Sequence, residues 1–180
     1  MKNLSLKNNY GKSQGGFTYI ELLIYMVICT IMLNTLVPFA WNVIETGAKS
    51  ATQQELSSNA RFASEIIKYE IRNASGFNVG TSVFGTNPGT LSLIDFTAGN
   101  NPTIFNVASG KLMMKQGAGA AVQITSNDVT VTNLTFTNYT SGAISENIQF
   151  LLTLTSNTTS TRQEYQGTIT LQGAAEIRSN

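Results

Sequence analysis

Histidine is absent from this chain and cysteine occurs once. Without histidine, the commonest general base and the commonest metal ligand are both missing, so a histidine-dependent triad or zinc site is excluded. The lone Cys29 admits no intrachain disulfide. It sits in an apolar run, where a small residue facing lipid or a neighbouring helix is a plainer reading than a reactive thiol. Charge is scarce and uneven. Lys2, Lys7 and Lys12 precede Gly16 with no acid among them, and eight basic side chains then face ten acidic ones. A nucleic-acid binder would carry a basic stripe. Lys111 and Lys115, two separate charges expected on one strand face, do not make one, so nucleic acid is not an expected partner. GAGAA (117–121) lacks the following Lys-Ser/Thr and helix of a phosphate-cradling loop. Asp95, Asp128, Glu146, Glu164 and Glu176 are too scattered for a calcium cage. No metal site, no cofactor and no catalytic residue is expected.

What the chain has is a long apolar run with one acid in it. Residues 17–41 carry a single charge, Glu21, and the twenty residues Leu22 to Trp41 carry none. As a helix, those twenty span roughly 30 Å, one hydrocarbon core. Lysines before the run and none within it place that end in the cytoplasm. A secretory signal peptide opens in the same way, but its apolar core is shorter and ends at a small-residue cleavage site. Here the small pair, Gly15-Gly16, comes before the apolar run. A cut there would leave the helix on the product.

Glu21 has two readings. It could lie at head-group level, since the run has only begun. Alternatively, a carboxylate in lipid, costing on the order of a few kcal/mol, needs a partner. The run offers no basic side chain. A cut after Gly16 would supply one, the α-amine of Phe17, four residues from Glu21 and on the same helix face. That pair could form within one chain or between neighbouring parallel helices, where it would act as a register pin.

SQGGFTYIELLIYMVI resembles the type IV prepilin processing motif. That motif is a short basic leader ending in glycine, then Phe, a small polar residue, two apolar residues, Glu and a continuous apolar helix. Gly16, Phe17 and Glu21 match it position by position, and Pro38 falls where many pilins also carry a proline. The clear match covers residues 11–41. The resemblance implies cleavage between Gly16 and Phe17 by a membrane prepilin peptidase and N-methylation of Phe17. It also implies assembly, through Glu21 and the N-terminal helix, with other pilin or pseudopilin subunits. An assembly-platform membrane protein and its ATPase would supply the work. The implied location is the cytoplasmic membrane, single-pass, with the globular part outside, and then a cell-surface or periplasmic filament. The long helix, glycine-rich loop and many strands are similar to larger minor subunits such as J-type pseudopilins.

Pro38 either ends the membrane segment or kinks a longer rod. Phe39, Ala40 and Trp41 continue the run, with Trp41 as an interface anchor. The ring removes the hydrogen bond to the Asn34 carbonyl, and Asn34 and Thr35 are polar groups able to re-satisfy a loosened turn.

After Trp41 the pattern turns amphipathic. Ala48, Ala51, Leu56, Ala60, Ala63, Ile67, Ile71 and Ala74 recur at helical spacing, with Phe62 and Ile66 widening the stripe. Glu45 with Lys49 and Arg61 with Glu65 are expected as i,i+4 pairs. Gly76 is the expected stop. A helix over residues 17–74 would run about 87 Å.

Beyond Gly76 the period becomes two. Residues 77–89 read as a loop. Strands are expected at 90–96, 103–108, 111–116, 122–125, 128–140 (bulged near Asn133), 147–156 and 164–173. Ser109-Gly110 is a two-residue hairpin turn. About six antiparallel strands result, one face on the helix and the other wet or against a small second sheet.

The expected class is therefore α+β, a long N-terminal helix on an antiparallel sheet. Residues 1–16 form a removed basic leader and 17–41 a membrane and assembly helix. Residues 42–76 continue that helix amphipathically, and 77–180 form the globule. The expected function is a structural one, a minor pilin or pseudopilin of a type IV pilus, competence or type II secretion filament. The alternative is a membrane-tethered surface adhesin with a plain anchor. DNA capture lacks its basic patch. An enzyme lacks a histidine and any nucleophile motif.

Overall fold

The structure, a computed structural model, describes residues 15–140 and 146–177. Lys2, Lys7 and Lys12 lie outside the described residues. One helix, α1 (Tyr19–Asn73), is followed by eight strands: β1 (Ala74–Phe77), β2 (Leu91–Asp95), β3 (Thr103–Ala108), β4 (Lys111–Gln116), β5 (Val122–Gln123), β6 (Val129–Asn138), β7 (Glu146–Ser156) and β8 (Thr168–Ile177). The class is α+β, with every strand pair antiparallel. The chain forms two compact units that part between Val43 and Ile44.

The first unit is the apolar half of α1. Thr18 caps it: the Glu21 amide donates to Thr18 Oγ1 at 3.3 Å and the Leu22 amide to the Thr18 carbonyl at 3.1 Å. The large apolar side chains from Phe17 to Ile44 are exposed. The segment is long and apolar enough to cross a membrane. Its polar side chains turn back on the helix itself. Thr30 donates to the Met26 carbonyl at 2.7 Å and Asn34 to the Thr30 carbonyl at 2.9 Å, while Thr35 reaches the carbonyls of Ile31 and Met32. Internal satisfaction of polar groups is what a hydrocarbon environment demands. These bonds lie before the Asn34 carbonyl, which Pro38 leaves without its helical donor, so Asn34 and Thr35 donate to earlier carbonyls and not to the loosened one. The helix continues through Pro38.

The second unit holds the other half of α1 and all the strands. Leu56, Ala60, Ala63, Ile67 and Ile71 are fully buried, as their spacing predicts. Phe62 does not widen that stripe, because it faces outward at 57% exposure. The helix stops earlier than expected. Asn73 closes α1 and Ala74 opens β1, which pairs with β2, so Gly76 is a strand residue and not a helix stop.

The described residues form eight strands in two sheets, where about six strands were expected, with a small second sheet as one alternative. One sheet runs β1-β2-β3-β4-β5 and the other β6-β7-β8. The β3–β4 hairpin turns at Ser109 and Gly110, with φ of 51° and 71°, the mirror-image turn that a two-residue connection needs. In β6 the buried side chains are Val129, Val131, Leu134 and Phe136. The phase slips by one between Val131 and Leu134, and the register shift between Val131 and Asn133 absorbs it. Ile148, Phe150, Leu152 and Leu154 of β7 point to the same core. The last strand begins four residues later than expected, because residues 163–165 form a 3-10 turn.

Polar contacts tie α1 to the strands. The Ser126 amide donates to Asn59 Oδ1 at 2.8 Å, and Ser126 Oγ donates to Glu55 Oε1 at 3.1 Å. Arg162 lies 3.9 Å from Glu45, pairs closely with Glu164 and sits over the Tyr165 ring. Glu45 therefore faces Arg162 and not Lys49, and Glu65 pairs with Lys68 and not Arg61. A residue brought in by the fold, or one at i+3, displaces each expected i,i+4 partner.

Candidate functional site

The sequence singles out Gly16, Phe17, Glu21 and Pro38, and the first three lie within two turns of one another at the start of α1. Gly16 precedes the helix. A Cβ built on it would meet nothing within 4 Å, and its φ is not in the left-handed region. Neither space nor backbone conformation requires a glycine there. Phe17 is 79% exposed, with its ring edge-on to Tyr25 at a centroid distance of 6.5 Å.

Glu21 is the third residue of the helix. Its amide is held by the Thr18 cap, and its charge stands in the first turn, where the exposed amides and the helix dipole favour an anion. Tyr25 Oη donates to Glu21 Oε1 at 3.2 Å. Glu21 is half-buried in a segment whose neighbours are exposed. In the uncut chain the carboxylate thus has a neutral donor one turn away. The expectation of a cationic partner leaves Tyr25 out. One signal points to it, the i,i+4 spacing of Glu21 and Tyr25.

Pro38 stands apart from this group, more than four turns further along the same helix. Cys29 is exposed on the apolar segment. Among the described residues, no three Asp, Glu or Cys side chains are placed to hold a metal ion. Lys111 is occupied: its Nζ donates to the carbonyls of Ser126 at 3.1 Å, Asn127 at 3.0 Å and Val129. It anchors the segment leading into β6, which leaves Lys115 as the exposed member of the expected pair.

Outside the N-terminal group one acid is perturbed upward. Glu70 of α1 has its carboxyl raised above the ordinary range, first by burial and then by the nearby charge of Asp95. Glu65 is lowered by its hydrogen bond to Lys68 and by that lysine's charge.

Comparison with protein families, with curated proteins and with solved structures finds no match to this chain. The long apolar N-terminal helix with antiparallel sheets is compatible with a pilin-like fold.

Proposed function

We propose that this chain is a structural subunit, a minor pilin or pseudopilin, of a type IV pilus, competence or type II secretion filament. A prepilin peptidase cuts between Gly16 and Phe17, and the new Phe17 amine is methylated. The apolar half of α1 holds the processed subunit in the cytoplasmic membrane, with residues 77–180 outside. The Phe17 amine, one turn from Glu21, replaces the Tyr25 hydroxyl as its partner, within the subunit or across to the next. An assembly platform and its ATPase drive insertion into the growing fibre, alongside other pilin or pseudopilin subunits.

One observation carries this reading: Gly16, Phe17 and Glu21 stand in processing order before a membrane-length helix. The capped first turn supports it too, because it presents Phe17 and Glu21 together at one end of the helix.

The deciding experiment is mass spectrometry of the mature N-terminus in native membranes. The expected result is a chain that begins at Phe17 and is one methyl group heavier than the unmodified peptide. Gly16→Val is expected to leave an uncut precursor that retains residues 1–16 and fails to assemble. A surface adhesin on a plain anchor would keep its size and display in that variant, and that outcome would overturn the proposal.

A further inference from the structure

Main-chain carbonyls that no amide takes up need another donor. Between β5 and β6 the chain turns through residues 124–128, and this loop is held from several sides. The Ile124 amide donates to the Leu112 carbonyl at 2.8 Å, and Thr125 Oγ1 accepts from the Leu112 amide at 3.2 Å. Gln123 Nε2 donates to the Thr125 carbonyl at 2.6 Å and to Asn127 Oδ1 at 3.0 Å. The Asn157 amide donates to the Asp128 carbonyl at 2.7 Å, and Asn157 Nδ2 to the Asn127 carbonyl at 2.8 Å. The carbonyls of Ser126, Asn127 and Val129 all converge on a single atom, Lys111 Nζ.

A lysine ammonium has three N–H donors and no acceptor. Here it meets three acceptors, all of them main-chain oxygens, so donors and acceptors match one to one. Carbonyl dipoles gathered from successive residues of a loop are a common way of holding a cation. The cation in this case is tethered. Lys111 opens β4 in the larger sheet, and the loop leads into β6 in the smaller one. The same loop is bonded to α1 through Ser126, which meets Asn59 and Glu55. One half-buried ammonium thus joins the two sheets at the loop that also holds the helix.

We infer that residues 126–129 form a binding site for a primary ammonium ion, which Lys111 fills from within the chain. What the site recognises is a compact positive charge with three N–H groups on a narrow alkyl stem. Hydrogen bonds to a charged donor are stronger than neutral ones, so losing this donor leaves carbonyls unmatched and frees the loop. The surrounding bonds hold the loop from other atoms, so the carbonyls stay aimed at the vacated point. A free alkylammonium ion then enters where the side chain is cut back. The inference stands on this loop alone, whether or not the N-terminus is processed.

The test is thermal unfolding of the full-length chain in detergent. Lys111→Ala removes Cγ, Cδ, Cε and Nζ, the heavy atoms of propylammonium, and leaves a space of that shape. Lys111→Met removes the charge and the donors but keeps a stem in place. Both variants are expected to melt several degrees lower. Added propylammonium is expected to recover most of the loss in Lys111→Ala. It should change neither Lys111→Met, whose space is filled, nor the unaltered chain, whose site is occupied. Propanol probes shape without charge, and tetramethylammonium probes charge without N–H groups; both are expected to leave Lys111→Ala as it was. If Lys111→Ala is not recovered folded, the yield on refolding from denaturant with each additive gives the same comparison. An unchanged melting temperature in Lys111→Ala, no rescue by propylammonium, or a rescue matched by propanol, by tetramethylammonium or in Lys111→Met would overturn the inference.

Discussion

Tyr25 Oη donates to Glu21 Oε1 at 3.2 Å, one helical turn along a face that is otherwise apolar. In the uncut chain a neutral hydroxyl thus holds the place that the Phe17 amine takes in the proposed processed subunit. The two partners differ in charge: the amine sets a positive charge against the carboxylate, which the neutral hydroxyl does not, and that attraction grows as the surroundings become less polar.

Glu21→Ala should therefore leave cleavage largely intact and sharply reduce incorporation into filaments. Tyr25→Phe, which keeps the ring against Phe17 and removes only the hydroxyl, should cleave and assemble near normal levels. Immunoblots of sheared filaments and of membranes would measure both. Normal incorporation of Glu21→Ala subunits would refute the pairing argument.

Gly173 of β8 and Phe150 of β7 are register partners, and a Cβ on Gly173 would lie 2.4 Å from the Phe150 ring. That ring is fully buried and has little room to retreat. Gly173→Ala should destabilise the chain by about 1–3 kcal/mol, the usual cost of overpacking. Combining it with Phe150→Leu should cost less than the sum of the two changes, because the smaller side chain vacates the space. Thermal or denaturant unfolding of the four members of this cycle in detergent would show the coupling, and strict additivity would count against it.

Glu70 gives a pH dependence with a definite sign. Burial and Asp95 raise its carboxyl in the folded state. The folded chain therefore holds the proton more tightly than the unfolded one. Stability from this group is full below the ordinary carboxylate range and is lost as pH climbs from there through the raised value. Glu70→Gln should raise the melting temperature at neutral pH and gain little at about pH 4, near the ordinary glutamate value. Asp95→Asn should reduce the effect, since it removes the second cause. An equal gain at both pH values would contradict the assignment.

Local signals in the sequence were reliable where the physics was local. The β3–β4 hairpin has the expected bounds because Ser109-Gly110 suits its turn with little outside help. The β6 bulge was legible because Val131 and Leu134 could share a face only if one residue were looped out. The misses involve partners distant in sequence. Ala74 to Phe77 look like a helix ending at glycine, yet β2, some fifteen residues on, recruits them as a strand. The residues before Thr168 look extended, yet Thr52 Oγ1 bonds the Glu164 carbonyl and Gly167 closes against Leu56, which fixes a turn there. Of the candidate site, Gly16, Phe17 and Glu21 could be read as a pattern. Tyr25 is a neutral donor, and the charge pattern of the sequence does not mark it.

Asn73 and Ala74 are consecutive, so α1 becomes β1 without a single intervening residue. No slack exists at that junction. A tug on this half of the helix has nothing to straighten before the hydrogen bonds between β1 and β2 take the load, and force meets the sheet directly.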